Sequence, residues 1–159
     1  MGVKVAIYNK QKKIKITPDI KRLIRSACRA TLKSEEFSGD SEIEVSIVDD
    51  EQIKCINSEC RGIDASTDVL SFPLGDGGKY DINPENGDFM LGDVVLSVEH
   101  AIMQGKIYGH GTQREIAYLT VHSVLHLLGY DHIHSEKEKK NMRKHEETVM
   151  AMLNLTVER

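Results

Sequence analysis

Apolar and polar positions along this chain change period several times, and each change marks an element. Residues 3–8, VKVAIY, alternate as a half-buried strand does. From Ile16 the spacing becomes helical, with Ile20, Leu23, Ile24, Ala27 and Leu32 on one side. Thr17 before Pro18 supplies an N-cap followed by a proline at the first helical position. Residues 42–48, EIEVSIV, alternate again, and Asp49 or Asp50 can cap a short helix to about residue 58. TDVLSF from Thr67 and LGDVVLS from Leu91 read as two further strands, the second running into a helix over about 98–106. Between them, residues 73–88 are rich in Gly, Asp, Asn and Pro, and a loop of that length signals function or disorder.

The next helix, about 113–128, is apolar nearly all round: Ile116, Ala117, Leu119, Val121, Val124, Leu125, Leu127 and Leu128. Such a helix is central and buried. Thr112-Gln-Arg-Glu115 matches a capping box at its start, and Gly129 supplies the left-handed residue that ends it. Ser135 can cap a last, polar helix with Met142, His145, Val149 and Met152 at helical spacing. The order predicts an α+β fold: a single compact domain over residues 1–159, with a mixed four-stranded sheet, a central buried helix and flanking helices.

Composition narrows the class. The 159 residues are 40% hydrophobic and 29% charged, with no window apolar and long enough to cross a bilayer and no signal-peptide pattern at residues 1–16. Gly2 is followed by VKVA, without the Ser or Thr of a myristoylation motif. Cys28, Cys55 and Cys60 are odd in number and lack redox or zinc-knuckle spacing, so buried reduced thiols are expected. A cytoplasmic protein is expected. The net charge of −4 argues against a general coat for nucleic acid but leaves room for a local basic surface.

The chemistry concentrates in residues 122–132, HSVLHLLGYDH. His122 and His126 rise from one helix face a turn apart, and His132 can return after Gly129 to supply a third nitrogen. Three protein ligands with an open position are the pattern of a catalytic zinc. A buried helix has little reason to present two stacked imidazoles unless something pairs them. His100, His110, His134 and His145 are read as packed or surface residues.

The spacing also matches the metzincin pattern, a zincin-like site, but Ser123 stands where those proteases place a glutamate base. Met142, Met150 and Met152 sit in a helical pattern without a methionine turn. The metal is supported and the peptidase base is missing.

HSVLHLLGYDH closely resembles the H-G-x-L-H-L-x-G-Y-D-H signature of the YbeY family of bacterial rRNA-processing endoribonucleases. STDVLSFP at 66–73, with Arg61 upstream, and LGDVVLS at 91–97 resemble two more of its segments, so the resemblance spans most of the chain from about Glu42. Ser123 departs from the family's glycine and, being small, is expected to leave the metal site intact. The resemblance implies a single-strand-specific endoribonuclease with one zinc ion on His122, His126 and His132. It would act in 16S rRNA 3′-end maturation and ribosome quality control. Its partners would be single-stranded RNA, an rRNA precursor and the ribosome or a ribosomal protein, with no membrane and no DNA.

Zinc on three imidazoles can polarise a phosphoryl oxygen or lower the pKa of bound water to about 7. Arg61 would hold a phosphate through its planar fork, so Arg61 and His122 are the expected catalytic residues. Asp131 can orient His132 or shape the turn. A hydroxide on zinc, the RNA 2′-hydroxyl as nucleophile and assistance from His134 are all compatible. Lys10, Lys12, Lys13 and Lys15 form one basic cluster; Lys137, Lys139, Lys140, Arg143 and Lys144 form another. Interleaved Glu136, Glu138, Glu146 and Glu147 make the second a solvated face. Few aromatics are available for stacking, which favours backbone recognition. Two other readings stay open: a zincin-type metallopeptidase, and a ribosome-assembly binding protein with a structural metal.

Overall fold

In a computed structural model that describes residues 2–76, 79–131 and 133–156, strands and helices follow the predicted order. They are β1 (Val3–Asn9), α1 (Pro18–Ser34), β2 (Ser41–Val48), α2 (Asp50–Arg61), β3 (Val69–Pro73), β4 (Gly75–Asp76), β5 (Lys79–Ile82), β6 (Phe89–Ser97), α3 (Val98–Ile107), α4 (Gly111–Leu127) and α5 (Glu136–Met152). β1, β2 and β6 run parallel, and β3 lies antiparallel to β6, pairing Val69 with Leu96 through Pro73 with Gly92. β5 continues beside β6, pairing Ile82 with Phe89.

The expected count of four strands falls short. The segment read as a structureless loop, 73–88, contributes β4 and β5, whose short hairpin extends the sheet. Its turn residues hid two strands too short to show a period.

Alternation in β2 sends Ile43, Val45 and Ile47 into the main core, where they meet Ile24, Ala27 and Cys28 of α1 and the apolar residues of α4. Val48, Leu70 and Val95 form a smaller cluster with Ile53, through which α2 packs on the sheet. Ile116, Leu119, Leu125 and Leu127 are all at most 1% exposed. Burying each contributes about 1.5–3 kcal/mol, which fixes α4 as the central helix.

Helix starts follow sequence at three of the four places named above, Ser135 capping α5 by accepting from the Glu138 amide. Thr17 accepts from the Ile20 amide, and Asp49 with Gln52 forms a full capping box on α2. At α4 the expected capping box is absent. The helix begins at Gly111, with His110 as its cap residue, and Glu115 is buried, its Oε2 2.5 Å from His110 Nε2. Close packing of α3 on the start of α4 explains the shift. A Cβ on Gly105 would lie 2.6 Å from the Gly111 carbonyl carbon, so this helix start is set by the contact between helices. The thiol expectation also needs correction: Cys28 is buried, with its pKa pushed up to about 12 by burial, whereas Cys55 and Cys60 are exposed.

Two glycines place the end of α4 against the sheet. Gly92, at φ +143°, leaves room where a Cβ would sit 2.4 Å from the Phe72 carbonyl oxygen and 2.8 Å from Leu127 Cδ2. Gly129, at φ +103°, turns the chain after α4 as its position predicts.

Candidate metal and phosphate site

α4 delivers the two helical histidines as their spacing requires. His122 and His126 point the same way, with Nε2 atoms 3.1 Å apart. Each ring is held from behind. His126 Nδ1–H donates to the Tyr130 carbonyl at 2.8 Å, a contact available only because Gly129 has turned the chain back. His122 Nδ1–H donates to Glu146 Oε2, while Glu146 Oε1 accepts from the Tyr118 hydroxyl at 2.9 Å.

These partners decide what the two Nε2 atoms can do. A backbone carbonyl only accepts, so His126 carries its proton on Nδ1, and the Glu146 carboxylate imposes the same tautomer on His122. In this tautomer each ring turns its Nε2 lone pair toward the other. Two Nε2 lone pairs 3.1 Å apart can be shared by one cation. Two zinc–nitrogen bonds of about 2.0–2.1 Å at a tetrahedral angle span about 3.3 Å, close to the observed separation. The donor set therefore fits a divalent ion. His132, the expected third ligand, lies outside the described residues, and no group of three ligating side chains occurs among those that are described.

Both histidines line a cavity of about 610 Å³, with β3 residues Val69–Pro73 along it. Arg61, the last residue of α2, lines the same cavity, so fold brings together residues more than sixty positions apart. Gly62 follows in the left-handed region and ends α2 there. Arg61 is exposed at the last position of α2, which runs about three residues past the end near residue 58 that the sequence predicts.

Ser123 is fully buried, with its Oγ 2.5 Å from Ser71 Oγ on β3. It joins α4 to the strand, and a glutamate there would have to occupy this buried contact. Asp131 shapes the turn, its Oδ1 accepting from the Ile133 amide at 2.9 Å. His134 is largely exposed, with Nε2 3.1 Å from Asp131 Oδ2; Ile133, and not His134, lines the cavity.

Glu146 is the residue that sequence reasoning missed. It belongs to a run of charges taken as a solvated face, yet is only 3% exposed. The usable signal was its register: four residues after Met142 and three before Val149, both buried on α5. Four of the cations on that helix, Lys139, Lys140, Arg143 and Lys144, line a groove of about 650 Å³ together with Glu136, Glu146, Glu147 and His122. The basic cluster thus borders the site, which helical spacing alone did not indicate.

The family profile of endoribonuclease YbeY matches residues 6–154. Proteins named endoribonuclease YbeY from Clostridium tetani and Caldanaerobacter subterraneus are 45% and 46% identical, the alignments covering 96% and 95% of this chain and 98% of each relative. One from Caldicellulosiruptor saccharolyticus is 46% identical, covering 97% of this chain and 99% of its own. The chain belongs to the endoribonuclease YbeY family. Among solved structures, TM1509 from Thermotoga maritima shares the fold, with a TM-score of 0.58 and 23% identity, covering 94% of this chain and 91% of that one. No helix among the described residues is long and apolar enough to cross a membrane.

Proposed function

We propose that this protein is a metal-dependent endoribonuclease, one catalytic domain over residues 1–159, that cuts single-stranded RNA in the cytoplasm during 16S rRNA 3′-end maturation and ribosome quality control. Its substrate is an rRNA precursor, met on the ribosome or through a ribosomal protein. The observation that carries the reading is the convergence of two imidazole Nε2 atoms in a cavity that Arg61 also lines. Family membership selects RNA as the substrate class.

His122, His126 and His132 would hold one zinc ion, which when bound supplies Lewis-acid activation of a phosphoryl oxygen or of water. The remaining work belongs to the chain. Glu146 and the Tyr130 carbonyl hold the two rings in one tautomer and orientation. Arg61 binds the phosphate and offsets charge that builds in the transition state. Lys139, Lys140, Arg143 and Lys144 attract the flanking backbone along their groove. Peptidase chemistry is disfavoured because Ser123 is buried against Ser71 and offers no base.

Purified protein should contain near-stoichiometric zinc, cut single-stranded RNA and lose that activity in chelator, regaining it on metal return. Cleavage that ignores chelator, or cleavage of a peptide library with none of RNA, would overturn the reading. Glu146→Gln should lower affinity for the ion by about 10–100-fold, read by competition with a chromophoric chelator. Unchanged affinity would mean that Glu146 does not orient His122.

A further inference from the structure

A second cavity, of about 460 Å³, adjoins the first and shares Gly129 and Tyr130 with it. Its other lining residues are Glu35, Phe37, Tyr80 and Leu128. The chain has only eight aromatic residues, five Tyr and three Phe, and three of them line this one cavity. The fold has thus collected, next to the cleavage site, the stacking surface that composition made scarce.

The turn that ends α1 sets two of these walls. The Phe37 amide reaches back to the Leu32 carbonyl at 3.0 Å and the Glu36 amide to Lys33 at 3.1 Å, a Schellman turn. Glu36 occupies its left-handed position at φ +54°, a strained conformation for a residue with a Cβ. The turn places Glu35 and Phe37 at the same cavity, with Phe37 and Tyr80 in an edge contact at 6.0 Å. Glu35 Oε2 lies 2.8 Å from His145 Nδ1, which fixes the carboxylate. Tyr130 lines the cavity with Glu35, its ring against that of His145 at a centroid distance of 4.8 Å.

A carboxylate wall repels phosphate, so the backbone of a bound RNA does not enter here. A base can. Guanine alone offers two adjacent donors, N1–H and the N2 amino group, to match a carboxylate. Adenine, cytosine and uracil each turn at least one acceptor toward it. A cavity of this size is typical of small-ligand pockets and accommodates a purine. We propose that Glu35, Phe37, Tyr80 and Tyr130 form a guanine-accepting subsite for a nucleotide flanking the scissile phosphate, a proposal that rests on the RNA-cleaving reading of the neighbouring cavity.

Two measurements test it. Oligoribonucleotides varied only beside the mapped cut should show about a tenfold preference in kcat/KM for guanosine at one flanking position, and Glu35→Gln should collapse that ratio. Titration of the protein with GMP, AMP, CMP and UMP, followed by amide shifts at Phe37 and Gly129, should select GMP, with selectivity lost in Glu35→Gln. Phe37→Leu should weaken the response to all four nucleotides. Equal responses to the four, a guanine preference that survives Glu35→Gln, or binding of a basic peptide without nucleotide discrimination overturns the subsite. GMP selectivity in a protein that cuts no RNA supports the subsite and removes the endoribonuclease reading. RNA cleavage without base preference or GMP response does the reverse.

Discussion

Replacing His122 by alanine is expected to lower RNA cleavage by at least about a thousandfold and to leave the purified protein short of its metal. Lewis-acid stabilisation is worth several kcal/mol in the transition state, and each 1.36 kcal/mol is a factor of ten. The variant removes one of the two convergent Nε2 atoms, so the ion loses a ligand that the helix places for it. It also leaves Glu146, nearly buried, with the Tyr118 hydroxyl on Oε1 but no donor on Oε2, and a buried acceptor left unsatisfied costs about 1–3 kcal/mol. Metal content, cleavage and thermal melting should therefore be measured together. Full cleavage by the metal-poor variant would remove His122 from the catalytic assignment.

Arg61→Ala is expected to lower kcat/KM by about 10²–10³-fold, the range seen when one preorganised donor to a transition state is removed. Here metal content and melting should stay at the wild-type level, because Arg61 is exposed at the last position of α2 and its main chain is held by the turn at Gly62. Lysine at 61 should recover part of the loss, since it restores the charge without the planar fork. Normal rRNA processing by Arg61→Ala would favour a binding protein whose metal is structural. The two variants separate the roles: His122 is tested through the ion, Arg61 without it.

Element types were largely legible because each long element repeats one period. β2 alternates, α4 is apolar all round, and both behave in space as those patterns require. The hairpin of β4 and β5 was not legible, since two to four residues establish no period. The start of α4 was misread for a different reason: Glu115 matches a capping box locally, but tertiary packing buries it against His110. Glu146 was hidden by its charged neighbours, and only its register with Met142 and Val149 marks it as the carboxylate that faces inward.

By itself, the sequence determined the α+β class, the central helix and the pair of histidines one turn apart, because helical periodicity is local geometry written into spacing. The motif in residues 122–132 and the segments around Arg61 and Leu91 also pointed to the family that the profile match over residues 6–154 shows. Only the tertiary structure decided that α5 turns Glu146 onto His122, that α2 ends with Arg61 in the same cavity, and that Ser123 faces β3. It also gathered Phe37, Tyr80 and Tyr130 from separate regions of the chain around one hollow. Those relations depend on how elements pack, and packing couples residues whose distance in sequence leaves no periodic trace.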